Sequence, residues 1–175
     1  MAETLPQGQD KGDVLVLRPD EGDTWWQPVP ANGHVTVRVA PDRVRMEHPL
    51  ALGTQTVPPG CHIREHAHDR NEEVIHVIAG TGKAVVEGKE HPIEPGTTLF
   101  LGRNRRHMFR NDGEVDLTFV WLIVPNGLET FFEAIGRVRR PDQPAPEPFA
   151  RPDDVLEIER RTVFAAPPGG SDAPA

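Results

Sequence analysis

Apolar residues in this chain occur in short runs separated by residues that form turns. The runs predict strands at Val14–Leu17, His34–Val39, Leu50–Val57, Glu73–Ile78, Ala84–Glu87, Thr97–Leu101, His107–Arg110 and Val115–Val124. Between them lie Pro19-Asp20, Pro28 to Gly33, Pro41-Asp42, Pro58-Pro59-Gly60, Gly80-Thr81-Gly82, Pro95-Gly96 and Asn111-Asp112-Gly113. Such residues preset a turn or tolerate positive φ. Many short strands at a spacing of roughly ten residues indicate an all-β sandwich or barrel. No helical pattern of ten or more residues occurs before residue 127, which argues against βαβ units.

The pattern changes after residue 125. Leu128, Phe131, Phe132 and Ile135 fall at i, i+3, i+4 and i+7, one face of an amphipathic helix that Gly136 stops. Residues 137–152 carry five prolines and read as an extended arm. Asp153 then caps a second short helix, Val155–Arg161. The chain divides into a flexible N-terminus (1–12), a β-barrel (13–126), a helix and Pro-rich arm packing on the barrel (127–164) and a disordered tail (165–175).

Composition narrows the reading. The chain has 175 residues, enough for one domain, and a net charge of -8. An acidic balance argues against nucleic acid, whose partners carry a basic face. No apolar window is long enough for a transmembrane helix, and the polar start has no secretory h-region. The expected setting is cytoplasmic, without membrane partners. The single cysteine, Cys61, rules out a disulfide framework and Cys-rich zinc modules. The eight histidines are the residues to explain.

His66 and His68 are two apart, so in a strand both imidazoles point to the same face. The next strand begins with Glu72-Glu73. Glu73, Ile75 and Val77 share one face, and Glu72, Val74 and His76 the other. A carboxylate on the inner face is costly unless paired or metal-bound. Parity alone does not choose, because both faces carry apolar residues. His107 opens a later strand that an antiparallel sandwich can bring to the same place. Three histidines and a glutamate suit Zn, Fe, Mn, Ni or Cu without selecting one.

These residues resemble two motifs of the cupin family. Gly60, five residues, His66-Ala67-His68, four residues, Glu73, six residues and Gly80 match the first, and choosing Glu72 would miss the final glycine. Gly96, five residues, Gly102-Arg103-Asn104, two residues, His107, three residues and Asn111 match the second. Here Gly102 stands where the motif has Pro, and Asn104 where it has Gly. The resemblance implies an all-β double-stranded β-helix, the jelly-roll cupin barrel, with short C-terminal helices. It also implies one divalent transition metal on His66, His68, Glu73 and His107, with Fe2+ first and Ni2+, Mn2+, Co2+, Cu2+ or Zn2+ as alternatives.

The C-terminal segment, Gly127 to Gly136 followed by a Pro-rich arm, is similar to the ending of small bacterial quercetinase-like cupins. That resemblance implies a dioxygenase that uses O2 on an aromatic, enol or diketone-like small molecule. Glu73 would then be catalytic as well as a ligand, accepting the substrate hydroxyl proton. The alternatives are a metal-dependent isomerase or lyase and a non-enzymatic ligand-binding cupin. Trp25, Trp26, Phe100, Phe109, Trp121, Phe131 and Phe132 are candidate cavity residues. Arg64, Arg103, Arg105, Arg106 and Arg110 are candidates for an anionic substrate, against the plainer reading of a solvated rim. His62, Glu65 and His76 are candidate supports for the ligands. Cys61 reads as a small turn or core residue, and His34, His48 and His91 as ordinary strand or surface residues. Small cupins commonly pair edge strands, so a homodimer through Val14–Leu17 or the Pro-rich arm is expected.

Overall fold

The computed structural model describes residues 11–140 and 142–166. The expectations for residues 1–10 and 167–175 lie outside these. In chain order the elements are β1 (Asp23–Trp26), β2 (His34–Val39), β3 (Ala51–Val57), β4 (His62–His66), β5 (Glu72–Ala79), β6 (Gly82–Val86), β7 (Lys89–Ile93), β8 (Thr98–Leu101), β9 (His107–Arg110), β10 (Leu117–Val124), α1 (Leu128–Ile135), β11 (Arg137–Val138) and α2 (Val155–Arg161). They form a seven-stranded antiparallel sheet, β11-β1-β2-β3-β10-β5-β8, and a four-stranded one, β4-β9-β6-β7. The architecture is the double-sheet jelly roll of cupins.

The core lies between the sheets because one face of each strand is apolar. In β10, Leu117, Phe119, Trp121 and Ile123 are buried, while the residues between them are partly exposed. They join Val35, Val37, Ile75 and Val77 from the large sheet and Ala84, Ile93 and Phe109 from the small one in a single cluster. Burial at this alternation is the main favourable term that holds the sheets together.

Val14–Leu17 is not a strand. Val14 and Val16 are 87% and 84% exposed, so the run has no face to bury. Four strands escape the apolar pattern. β1 is only four residues long, and β11 has two. β4 and β7 are polar in composition. β7 is an edge strand, so Pro92 costs the sheet no ladder bond on its open side. Its hairpin with β6 turns through Glu87 and Gly88, both at positive φ (50° and 76°), the requirement of a type I′ turn.

α1 buries Leu128, Phe131, Phe132 and Ile135, the face expected from the sequence. Gly136 ends it for a steric reason. Its φ is -90°, and a Cβ there would lie 2.7 Å from both the Phe132 carbonyl oxygen and Trp25 Cβ. α2 has the expected bounds, but Asp154 rather than Asp153 stands at its N-cap, and no side-chain cap bond forms.

Candidate metal centre

The four residues from the two motifs come together although they come from three different strands or strand ends. His66 is the last residue of β4, His107 the first of β9, and these two are paired in register. Glu73 is on β5 in the opposite sheet and is 4% exposed, whereas Glu72 faces out. His68 lies beyond the end of β4, so strand parity does not place it. The chain there is held by its neighbours: Asn104 N–H donates to the His68 carbonyl at 2.7 Å. Asn104 has φ 61°, which supplies the left-handed turn for which the motif uses Gly. Asn111 is structural. It is 1% exposed and its amide donates to the Val57 and Val115 carbonyls.

One donor atom from each of His66, His68, Glu73 and His107 lies within 4.8 Å of the others. Three backbone carbonyls orient the rings. His66 Nδ1 donates to Arg64 O (2.9 Å), His68 Nδ1 to Val163 O (2.9 Å) and His107 Nδ1 to Arg105 O (2.8 Å). A carbonyl only accepts, so each Nδ1 carries the proton and each Nε2 is left with a lone pair. His107 Nε2 and His68 Nε2 lie 3.2 and 3.6 Å from Glu73 Oε2. All three of these atoms are buried without a hydrogen-bond partner. Lone pairs facing a carboxylate in a dry interior need a cation between them. The residues therefore fit a divalent metal, with the carbonyls in the supporting role that fixes the imidazole tautomer.

Electrostatics agree. Burial would push the Glu73 carboxyl up; with no cation bound, only protons on Nε2 of His107 and His68 outweigh it and hold the group below the usual carboxylate range, and a metal would take the place of those protons. His66 is held well below its ordinary pKa, first by burial and then by His107 and His68 beside it. The imidazole is therefore neutral at neutral pH, as a ligand must be.

His66 and Glu73 line a cavity enclosing about 630 Å³, its open mouth included. Its walls are mainly apolar: Phe109, Phe119, Leu128, Phe131, Phe132, Ile135 and Phe164, with Gln27 and Gln55 among the polar members. Of the aromatic candidates from the sequence, Phe109, Phe131 and Phe132 line it. Trp121 is core at 1% exposure, Phe100 is 66% exposed, Trp25 lines a separate groove, and Trp26 packs on His34. Phe119 and Phe164 were not expected. Of the five candidate arginines only Arg64 reaches the cavity, where Arg151 joins it. Arg106 pairs with Glu65, Arg110 pairs with Glu90, and Arg103 and Arg105 are exposed. Glu65 and His76 are turned away from the ligands, His76 bonding Thr98 on an exposed face. His62 pairs with Arg110 across the strands. Support for the ligands comes instead from backbone carbonyls, which have no sequence signature.

The C-terminal segment crosses this centre. Arg70 donates to Thr162 O, His68 to Val163 O, and Ala165 N–H to Ala67 O. Phe164 lies 5.3 Å from the His66 ring and 5.2 Å from the His68 ring, centroid to centroid.

Residues 53–123 match the family model of the cupin domain. With the double-sheet barrel, this shows that the chain carries a single cupin domain. The tetracenomycin polyketide synthase protein TcmJ of Streptomyces glaucescens is 31% identical over 104 residues, 59% of this chain and 66% of the relative. An oxalate-binding protein of Thermotoga maritima is 31% identical over 68 residues, 39% of this chain and 56% of the relative. The crystal structure of a cupin 2 conserved barrel domain protein from Salinispora arenicola superposes with a TM-score of 0.52 at 19% identity, covering 64% of this chain and 90% of that one. The chain spans between about half and two thirds of the length of the curated relatives it matches. No helix among the described residues is long and apolar enough to cross a membrane.

Proposed function

We propose that this protein is a metal-dependent cupin dioxygenase acting on an aromatic, enol or diketone-like small molecule. The observation that carries the reading is the convergence of His66, His68, His107 and Glu73, with His66 and Glu73 lining an apolar, phenylalanine-rich cavity. A divalent metal on these residues would supply positive charge for an ionised substrate oxygen and, if redox-active, a partner for O2. Fe2+ is the first choice, and Ni2+, Mn2+, Co2+, Cu2+ or Zn2+ suits the same donors.

Glu73 has two tasks in this reading. It is a ligand, and it accepts the substrate hydroxyl proton. It is ionised at neutral pH and so is available as an acceptor. A carboxylate is a weak base, so the hydroxyl it serves in this reading is an acidic one. That favours enols and phenols over alcohols. The phenylalanines exclude water and hold a flat ring against the centre. The relative named for a polyketide synthase supports the same class, since polyketides are rich in β-dicarbonyl and phenolic groups.

The test is O2 uptake by the metal-loaded protein on flavonol, catechol and β-diketone substrates. Consumption of O2 that is lost in Glu73→Gln supports the reading, and no uptake with any of the three classes sinks it. A second reading, ligand binding without turnover, is favoured by the relative named for oxalate binding. It predicts saturable binding without O2 loss or product. A cytoplasmic homodimer belongs to the proposal. Cys61 is a free thiol, and the edge strand β8 presents Phe100 at 66% exposure as a face for a second copy. Light scattering tests the dimer, and a monomer mass at working concentration removes it.

A further inference from the structure

The metal-facing cavity shares a wall with an outer groove of about 140 Å³. Arg64, His66, Arg151 and Phe164 line both spaces. In this wall Arg64 and Arg151 both hold the same oxygen, Oε1, of Glu159. Two guanidinium groups face one carboxylate, so the cluster keeps one positive charge in excess. Glu159 is 7% exposed, and both arginines are largely covered. The Arg64 and Arg151 side chains are 32% and 22% exposed, so the excess positive charge is open to an anion arriving from solvent. Arg151 engages Glu159 through Nη2 alone, whereas a guanidinium offers five N–H donors. Beside the arginines the wall is apolar, with Phe164 4.4 Å from Phe131 between ring centroids and Arg64 Cζ 5.4 Å from the Phe164 ring centre.

Resting on the reading of this cavity as the substrate site, we propose that Arg64 and Arg151 form a carboxylate-binding subsite for an aromatic acid, which replaces the resident Glu159 carboxylate. The planar fork of arginine matches a carboxylate, and this pair already accommodates one. Displacement needs only a side-chain rotation of Glu159 away from the two arginines, with α2 itself held by buried Ile158. The ring of the ligand lies along Phe131 and Phe164, with its acid group at the outer wall and its other end toward His66. Specificity would then reside partly in the C-terminal segment, outside the two metal-binding motifs.

The experiment is calorimetric titration of the full chain with 2-naphthoate and its neutral isostere 2-naphthamide. It is run on metal-free protein freed of chelator and again after loading with Co2+. The acid is expected to bind at least about tenfold more tightly than the amide in both states. Glu159→Gln removes the resident charge and tightens naphthoate about tenfold without changing the amide. Arg151→Gln erases the preference. Equal affinities for acid and amide, or no binding of naphthoate, in the metal-free wild type overturn the proposal, as does a Glu159→Gln chain that binds the acid no better. Should Glu159→Gln fail to fold, the wild-type preference still decides. Cobalt uptake is read separately from the visible absorption, so failure of the metal reading is distinguished from failure of the subsite.

Discussion

His66, His68 and His107 obey one local rule: each gives its Nδ1 proton to a main-chain carbonyl and turns Nε2 toward Glu73. Removing one of them leaves the others aimed but the coordination incomplete. His107→Ala is expected to weaken divalent-metal binding by more than about 100-fold, measured by calorimetry, because loss of a ligand exceeds the effect of losing its support. His34 gives a pH prediction away from the centre. Its pKa is lowered, first by burial and then by Arg139, with Asp116 opposing. The unfolded chain, with an ordinary histidine pKa of about 6.5, binds this proton more readily. The stabilisation is thus present above pH about 6.5 and is lost as pH falls below it. His34→Gln should therefore flatten the decline of Tm on acidification. An unchanged slope contradicts the assignment. At this scale the sequence singled out the four residues that the structure brings together. His66, His68, Glu73 and His107 were legible through the resemblance of their spacing to the two cupin motifs, since strand parity alone chose neither Glu73 nor His68. Val163 was not, since a carbonyl is common to every residue. Arg151 and Phe164 were not, since only the tertiary path of the C-terminal segment brings them to the cavity.

Elements explain how the centre is enclosed. α1 closes the cavity with Leu128, Phe131, Phe132 and Ile135, and residues 162–165 run across the loop that carries His68. Phe164 is 8% exposed and packs on His66, His68 and Phe131. Phe164→Ala should cost about 3 kcal/mol in urea unfolding. It should also weaken metal binding if the segment supports His68; loss of stability with unchanged affinity would confine Phe164 to packing. Gly53 on β3 is a second point of enforced closeness. A Cβ there would lie 2.3 Å from the Thr36 carbonyl oxygen and 2.4 Å from Trp121 Cζ2. Gly53→Ala is expected to destabilise by about 1–3 kcal/mol or more, read from the shift in Tm. The strands with a buried alternating face, such as β2, β9 and β10, were legible from hydrophobic period. β4 and β7 were not, because their mostly polar residues lack an alternating apolar face, and ladder bonds are made by the backbone whatever the side chain. Val14–Leu17 was misread because an apolar run predicts a strand only when a partner edge exists to pair with it.

The whole molecule joins the double-sheet cupin scaffold to an enclosure built by α1 and the C-terminal segment. The double sheet delivers His66 and His107 from the small sheet and Glu73 from the large one, so the centre spans the two layers. The family match ends at residue 123, before α1, Arg151, Glu159 and Phe164. The candidate metal ligands are therefore readable by resemblance, while Arg151, Glu159 and Phe164 lie outside the matched residues. The central claim is that His66, His68, Glu73 and His107 form one divalent-metal site. Its most direct test is titration of the metal-free protein with Co2+ under exclusion of air, with the visible absorption recorded in parallel. The account predicts saturation at one ion per chain, with bands of nitrogen and oxygen ligation and no thiolate charge-transfer band, and it predicts that His107→Ala and Glu73→Gln lose this signal while remaining folded. Absence of saturable binding in the wild type, or binding unchanged in both variants, would contradict it.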